Sequence, residues 1–395
     1  MNEKIVVKKA NGNNMLCEIQ SVGFDSPYSQ TASEKYKNIT LKIFRLKSPE
    51  ANILKQLCLS LGFDCAVSRD TITCKTEYTD CVLNATHSQL KKLINKLKIQ
   101  PFRCKDLAKA LSEILTGEEK TLLIREKEMN NKSTYLMGIL NVTPDSFSDG
   151  GNYKDIDSAI HKALELIEEG ADIIDIGGES TRPGATSVSI EEEISRIIPV
   201  IKALREKNKD IIISVDTRNF LTAKSAIEAG ADIINDVTGL DYDNDLLNFV
   251  CGNNIPTIIM HSDKIPAVTY EHDKEYDVVE EVYKSLFHKI ELLKEKGMSH
   301  SNIIIDPGIG FGKSITENFE LLKRIDEFSS LNCLILAGIS RKSFLKNTFN
   351  LKSNEELDEA TASYDNLIAT KGVNILRVHN IKLHKKQLEY IKKIL

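Results

Sequence analysis

"EEGADIIDIGG" (residues 168–178) closes a charged, amphipathic run with a glycine and passes straight into an isoleucine-rich run. "EAGADIINDVTG" (residues 228–239) does the same. Gly170 and Gly230 stand where a helix ends in the left-handed conformation that glycine adopts without penalty. The β-branched residues that follow are strand formers. Two helix ends that each feed a strand, one βαβα period apart, mark a repeated βα unit.

Outward from that pair the same rhythm runs from about residue 133 onward. The apolar runs are "LMGIL" (136–140), "ADIIDI" (171–176), "IIISV" (211–215), "ADIIN" (231–235), "PTIIM" (256–260), "NIIID" (302–306), "LILAGI" (334–339) and "NILRV" (374–378). Each is continuous rather than alternating, which is the pattern of strands covered on both faces in a parallel sheet. Eight βα units in about 260 residues match a (β/α)8 TIM barrel. The expected fold is therefore α/β, with that barrel over residues 131–395. Helix signals agree: in "VSIEEEISRIIPVI" (188–201), Ser189 is placed as N-cap, Glu192 as its capping-box partner and Val188 as a staple.

Residues 1–130 are expected to form a small α+β domain. "NITLKIFRL" (38–46) and "RDTITCKTEY" (69–78) read as strands, "PEANILKQLCLSLG" (49–62) and "SQLKKLINKL" (88–97) as helices. No role for this domain follows from these residues. "TGEEKTLLIREKEMNNKS" (116–133) is the expected connection, with an apolar "LLI" able to pack on the barrel. The chain has 395 residues, 41% of them hydrophobic, enough for a large core. Its net charge of -5 offers no basic field for nucleic acid, so a small-molecule partner is expected. The start "MNEKIVVKKA" has no apolar core of a leader, and no apolar run approaches the ~20 residues that span a bilayer. A cytoplasmic protein without membrane contact is expected. The eight cysteines never fall as Cys-x-x-Cys, so reduced, buried thiols are expected rather than a zinc or disulfide framework.

Active sites of such barrels gather at the C-terminal ends of the strands, and here every run ends in polar chemistry. The ends carry Asn141, then "GGESTRPGA" (177–185), Asp216, Asn235 with Asp236, His261, "DPGIGFGK" (306–313), "SRKS" (340–343) and "RVHN" (377–380). One such end could be a turn; eight aimed at one mouth imply a site. Asp216, Asn235 and Asp306 suit the donor edge of a flat heterocycle, since a carboxylate accepts two parallel hydrogen bonds. Lys342 adds a cation. Arg182, Arg377 and His379 suit a multiply charged anion, and Asn141 a hard cation bridging phosphate oxygens. Ser343 opens a helix whose free N–H groups favour a carboxylate. His87, His161, His272, His288, His300 and His384 lie outside the strand-end motifs. His261 is either a satisfied inward histidine or a ligand contact. The basic helix "IKLHKKQLEYIKKIL" (381–395) reads as a solvated last barrel helix.

"MGILNVTPDSFSDGG" (137–151), "DIIDIGGESTRPGA" (172–185), "SVDT", "INDVTG", "DPGIGFGK", "GISRKSF" and "RVH", in this order, closely resemble dihydropteroate synthase over roughly residues 135–380. The resemblance implies a transferase of folate biosynthesis, a sulfonamide target, that joins 6-hydroxymethyl-7,8-dihydropterin diphosphate to 4-aminobenzoate. The products would be 7,8-dihydropteroate and pyrophosphate, with Mg2+ as cofactor. It further implies a homodimer formed through barrel helices. Carried across by residue, Asp216, Asn235, Asp306 and Lys342 resemble the pterin pocket. Asn141, Arg377 and His379 resemble the diphosphate site, with Asn141 as metal ligand. Phe147, Thr181, Arg182, Pro183, Phe311 and Ser343 resemble the 4-aminobenzoate site. Asp216, Lys342, Arg377 and His379 would carry the chemistry.

The chain departs from that pattern in two places within the barrel. Loop five reads "MHSDKIPAV" (260–268), without the usual Met-Gly after the histidine, and strand eight ends in Asn380 where the family usually has Asp. The first 130 residues lie outside the family's single-domain pattern. Two alternatives share the barrel. A pterin domain of a corrinoid-dependent methyltransferase would have no use for "STRPG" and "SRKS", and a non-catalytic pterin-binding regulator would bind pterin without turnover.

Overall fold

The computed structural model describes residues 7–8, 14–117, 120–142, 152–179, 188–262 and 276–393, the side chains of 152–155 excepted. The chain divides into two compact units, Met1–Glu118 and Glu119–Leu395.

The first unit runs α1 (Met15–Ser21), α2 (Ser26–Ser33), β1 (Asn38–Lys47), α3 (Ser48–Ser60), β2 (Cys65–Val67), β3 (Tyr78–Thr86), α4 (His87–Leu97) and α5 (Cys104–Thr116). Its three strands form an antiparallel sheet in the order β1-β3-β2. Strand β3 alternates exposed and buried residues, so Cys81, Leu83 and Ala85 pack with Leu54, Cys58, Leu90 and Leu93 in one core. Cys58, Cys65, Cys81 and Cys104 are buried, whereas Cys17 and Cys74 are exposed. "RDTITCKTEY" is not a strand: Arg69–Thr71 is a 3-10 turn whose Asp70 N–H is capped by Ser68 Oγ. Lys75 N–H then donates to the Asp70 carbonyl, and Cys74 has φ +54°. Local side-chain and turn hydrogen bonds here outcompete a sheet ladder. The strand begins only at Tyr78.

The second unit opens with a hairpin of β4 (Thr121–Ile124) and β5 (Lys127–Asn130). The barrel follows: β6 (Tyr135–Asn141), α6 (Asn152–Glu168), β7 (Ile173–Gly177), α7 (Ile190–Lys207), β8 (Ile212–Asp216), α8 (Phe220–Ala229), β9 (Ile233–Asp236) and α9 (Asn244–Gly252). It continues with β10 (Thr257–Met260), α10 (Val278–Glu295), β11 (Ile303–Asp306), α11 (Ile315–Lys323), β12 (Leu334–Ala337), α12 (Ser343–Phe349), α13 (Asn354–Ala369), β13 (Ile375–Val378) and α14 (Ile381–Ile391). All eight apolar runs are strands of one closed parallel barrel, in which β13 pairs with β6. Gly170 and Gly230 have φ of +106° and +111° and end their helices as expected. Ser189 caps α7 by accepting the Glu192 N–H. The Glu192 carboxylate pairs with Arg196 one turn on.

Strand alternation sorts the barrel residues into two sets. Outward residues such as Ile174, Ile213, Ile234 and Leu376 pack against the helices. Inward residues at the lower end, among them Met137, Ile173, Ile212, Ile258 and Ile304, form an apolar floor that Leu122, Ile124 and Met129 of the hairpin complete. Full burial of each such side chain contributes roughly 1.5–3 kcal/mol. The compact units therefore divide at 118/119, whereas the sequence places the boundary at 130/131. The hairpin turn, Arg125-Glu126, has φ of +47° and +61°, the mirror-image turn that matches strand twist but normally takes Asn-Gly. Arg125 holds it in place by donating to Asp232 and to the Gly230 carbonyl, 3.2 Å.

Candidate active site

With the floor apolar, the chemistry of the barrel is confined to its other end. Parallel register aligns Asn141 with Gly177, Gly177 with Asp216, and Asp216 with Asn235 across β6, β7, β8 and β9. These residues share one inward pleat. Gly177 contributes no side chain, which leaves room between its neighbours: a Cβ there would lie 3.8 Å from Asn141 Oδ1 and 3.9 Å from Asp216 Oδ2.

One pleat deeper sits Asp175, fully buried on β7. Arg377, from β13, donates through Nε to Asp175 Oδ2 at 2.6 Å and through Nη2 to Asp216 Oδ2 at 2.8 Å. Asn235 Nδ2 donates to the same Asp175 oxygen at 3.2 Å. Two carboxylates thus share one guanidinium. Burial pushes Asp216 up to about 7, with Asp175 and Asp236 adding to the rise and Arg377 opposing it. Burial works against the charge of Arg377, but Asp175 and Asp216 hold its pKa raised.

The opposite wall comes from the strand ends of β11 and β12. Asp306 Oδ1 accepts the Gly308 N–H at 2.8 Å, and burial raises its pKa against the pull of Lys342. Lys342 donates to the Ile309 carbonyl and stands 4.4 Å from the Phe311 ring centre, a cation–π distance. Burial lowers Lys342 to about 7, with Asp306 opposing. The turn between these residues is possible only with glycine. A Cβ on Gly308 (φ +70°) would fall 1.8 Å from the His261 carbonyl oxygen, and one on Gly310 (φ +83°) 2.5 Å from Lys342 Cδ.

His379 is held by Ser340, whose Oγ accepts the His379 N–H at 3.3 Å and pairs with Nδ1 at 2.9 Å. His261 has a different task. Buried Lys313 reaches its Nδ1 at 3.1 Å and donates to the Gly308 and Phe311 carbonyls at 2.9 and 3.0 Å. Burial and the nearby Lys313 and Lys289 depress His261 to about 3, so its neutral ring accepts from lysine and helps clamp the glycine-rich turn.

These walls enclose a cleft of about 600 Å³, and Asn141, Asp216, Asn235, Asp306, Phe311, Lys342, Ser343, Arg377 and His379 all line it. Phe147, Thr181, Arg182 and Pro183 lie outside the described residues. Asp175 was missed from sequence because "IIDI" reads as an apolar run. The signal was there: a carboxylate amid isoleucines on a strand covered on both faces demands a buried cation. Ser340 reads in the sequence only as the first residue of the "SRKS" strand end, with nothing there to tie it to His379. Among the described residues no three His, Cys, Asp or Glu are placed to hold a metal ion. No helix among them is long and apolar enough to cross a membrane.

Comparison with known proteins agrees with this geometry. The family described as pterin binding enzyme matches residues 137–379. A probable bifunctional folylpolyglutamate synthase/dihydropteroate synthase of Haloferax volcanii is 40% identical over 353 residues, covering 85% of this chain and 41% of its own length. The chain thus spans about two fifths of that relative. The match is longer than the barrel unit, so it extends into the first unit. The dihydropteroate synthase of Clostridium beijerinckii is 43% identical over 65% of this chain and 93% of its own. The solved Xanthomonas albilineans dihydropteroate synthase with 4-aminobenzoic acid superposes with a TM-score of 0.65 at 36% identity, over 70% of this chain and 98% of that one. With eight barrel strands, the strand-end motifs and these likenesses in agreement, the chain belongs to the pterin-binding enzymes and, within them, to the dihydropteroate synthase family.

Proposed function

We propose that the chain condenses 6-hydroxymethyl-7,8-dihydropterin diphosphate with 4-aminobenzoate, releasing 7,8-dihydropteroate and pyrophosphate in folate biosynthesis. The observation that carries this reading is the pairing of opposed groups in one cleft, with Asp216, Asn235 and Asp306 offering hydrogen bonds to a heterocycle beside the cations Arg377 and Lys342. Asp216, Asn235, Asp306 and Lys342 hold the pterin, the carboxylates accepting from its amidine-like edge. Arg377, His379 and Asn141 hold the diphosphate. Phe311 and Ser343, joined by Phe147, Thr181, Arg182 and Pro183, which lie outside the described residues, hold 4-aminobenzoate.

The reaction breaks the bond between the pterin methylene and the diphosphate oxygen, which leaves with the electron pair. The amine lone pair forms the new C–N bond and the amine sheds a proton. A neutral arylamine is nucleophilic enough that no strong base is required. Arg377 spends Nε and one Nη2 proton on the two carboxylates, and its remaining donors stabilise charge building on the leaving oxygen. Asp216 stabilises the positive charge that develops on the pterin methylene and ring. Enclosure keeps water from competing for the methylene.

Magnesium fits this donor set as an ion shared with substrate. Mg2+ prefers oxygen ligands, keeps several waters and is held largely through substrate phosphates, and Asn141 would add one amide oxygen from the mouth row. When bound it neutralises diphosphate charge. A homodimer is also part of the proposal. Its support is an apolar face on α11–α13, where Phe344 and Phe349 pack edge-on and Tyr364 tilted against Phe319, and Ile315, Phe349 and Leu367 are over two-fifths exposed. We place the protein in the cytoplasm with small molecules as its substrates.

Pyrophosphate release with the pterin diphosphate, 4-aminobenzoate and Mg2+ tests the reading. Dihydropteroate formed in step with pyrophosphate is expected, together with a loss of at least about a hundredfold in kcat/KM for Arg377→Ala. Pterin binding without turnover would refute the synthase and favour a regulator.

A further inference from the structure

Asn380 stands immediately after His379, at the point where β13 gives way to α14, and both ends of its amide and its backbone carbonyl are engaged. Its Oδ1 accepts the Leu383 N–H at 3.0 Å and caps α14. Its Nδ2 donates to Asp358 Oδ2 at 3.2 Å. Its backbone carbonyl accepts from His384 Nδ1 at 2.7 Å. Both partners lead further. Asp358, 4% exposed on α13, takes a two-pronged contact from Arg341 at 2.8 Å and 2.8 Å. His384 faces Asp365 across 3.0 Å, both side chains 1% exposed, which makes the pair an electrostatic contact sealed from water.

We propose that Asn380 is a positioning residue for the anion-binding end of the site, acting through a chain that runs Arg341, Asp358, Asn380, His384, Asp365, in which half-buried Arg341 and Asn380 join the buried Asp358, His384 and Asp365. The chain ties the segment carrying His379 to two places on α13 and, through Arg341, to the turn that carries Ser340 and Lys342. Arg341 itself sits at φ +58°, a backbone position that a non-glycine residue keeps only when its surroundings hold it. Ser340 and Lys342 are its immediate neighbours, so the pull of Asp358 on Arg341 sets the turn from which Ser340 reaches His379. The chain requires an amide at 380. A carboxylate there would meet the buried Asp358 across about the same 3.2 Å, two like charges in contact, whereas the amide donates a hydrogen bond. The inference rests on the diphosphate reading of Arg377 and His379.

The decisive variant is Asn380→Asp in the full chain. Asp caps a helix as well as Asn does, so a residue that only caps α14 would tolerate the exchange. The expected result is a KM for the pterin diphosphate raised about tenfold with the KM for 4-aminobenzoate unchanged, and displaced His379 ring signals in nitrogen-correlated NMR. Asn380→Ser keeps a capping oxygen and lacks the amide donor. It is expected to raise the same KM, and it serves if the aspartate variant does not fold. The double variant Asn380→Asp with Asp358→Asn restores a donor–acceptor pair and is expected to recover part of the loss. Wild-type kinetics and unmoved His379 signals in Asn380→Asp, or in Asn380→Ser should the former not fold, would overturn the proposal. A wild-type chain without turnover would sink the synthase reading instead, and the ring signals of the variants would then decide the positioning role alone.

Discussion

Replacing Asp175 by Asn tests whether the guanidinium of Arg377 depends on both its carboxylates. The side chain is fully buried, and its Oδ2 accepts from Arg377 Nε at 2.6 Å and from Asn235 Nδ2 at 3.2 Å. The exchange keeps the shape and one accepting oxygen. It removes the charge from a charge-assisted bond worth about 1.5–3 kcal/mol. It also places an NH2 at the position of Oδ1, which has no hydrogen-bond partner among the described residues, and a buried orphan donor costs about 1–3 kcal/mol. Against these, Asp216 loses a like-charged neighbour and still neutralises Arg377. The net expectation is a destabilisation of about 2 kcal/mol, well short of the 3–5 kcal/mol of a buried cation left without any partner. For a barrel of this size that lowers Tm by about 3–4 °C, read by scanning calorimetry at neutral pH. A transition unmoved within about a degree would mean that Asp216 alone holds the arginine. An increase would mean that the two carboxylates repel each other more than they gain.

Leu122→Ala should cost about 2–5 kcal/mol in urea unfolding, because Leu122 is 1% exposed in the barrel floor. Leu123→Ala on the same strand, 68% exposed, should change stability by under about 0.5 kcal/mol; equal effects would remove the hairpin from the core. His261, depressed to about 3 in the fold, is neutral there and protonates near 6.5 when unfolded. Its contribution is therefore complete above about pH 6.5 and is lost as pH falls toward 3, at up to about 1.4 kcal/mol per pH unit. His261→Asn keeps an acceptor for Lys313 without the titration, so its urea midpoint should fall less steeply between about pH 6 and 4 than that of the wild type. Identical slopes would refute the assignment.

The barrel was legible because its strands are covered on both faces and its helix ends close with glycine, so each βα unit repeats a signal that register cannot scramble. The polar row at the mouth was legible for the same reason: a residue just past an apolar run lies at the open end. Asp175 was not, since a single charge inside "IIDI" is outvoted by its neighbours until a partner more than two hundred positions away is brought alongside. Nor was the hairpin. "TLLI" has strand composition, but its turn uses Arg125 and Glu126 in place of glycine or asparagine and is held by a contact to Asp232. "RDTITCKTEY" misled in the opposite direction, because its threonines have strand propensity while Ser68 and Asp70 supply local hydrogen bonds that bend the chain. Asn380 stood out only as a departure from the family pattern; its partner Asp358 on α13 comes from tertiary packing.

The pairing of β13 with β6, Ile375 beside Tyr135, has a consequence for how the protein is made. The ribosome delivers residues at about 5–20 per second, so the strand that opens the barrel waits roughly ten seconds or more for the strand that shuts it. Through that interval β7 and β8 can stand side by side, carrying Asp175 and Asp216 with no arginine between them. Arg377 arrives on the last strand of all, so the closing of the sheet and the neutralising of the site are one event. A nascent chain halted before residue 377 would keep an open edge, a slot for the missing strand, and an unmet demand for a cation.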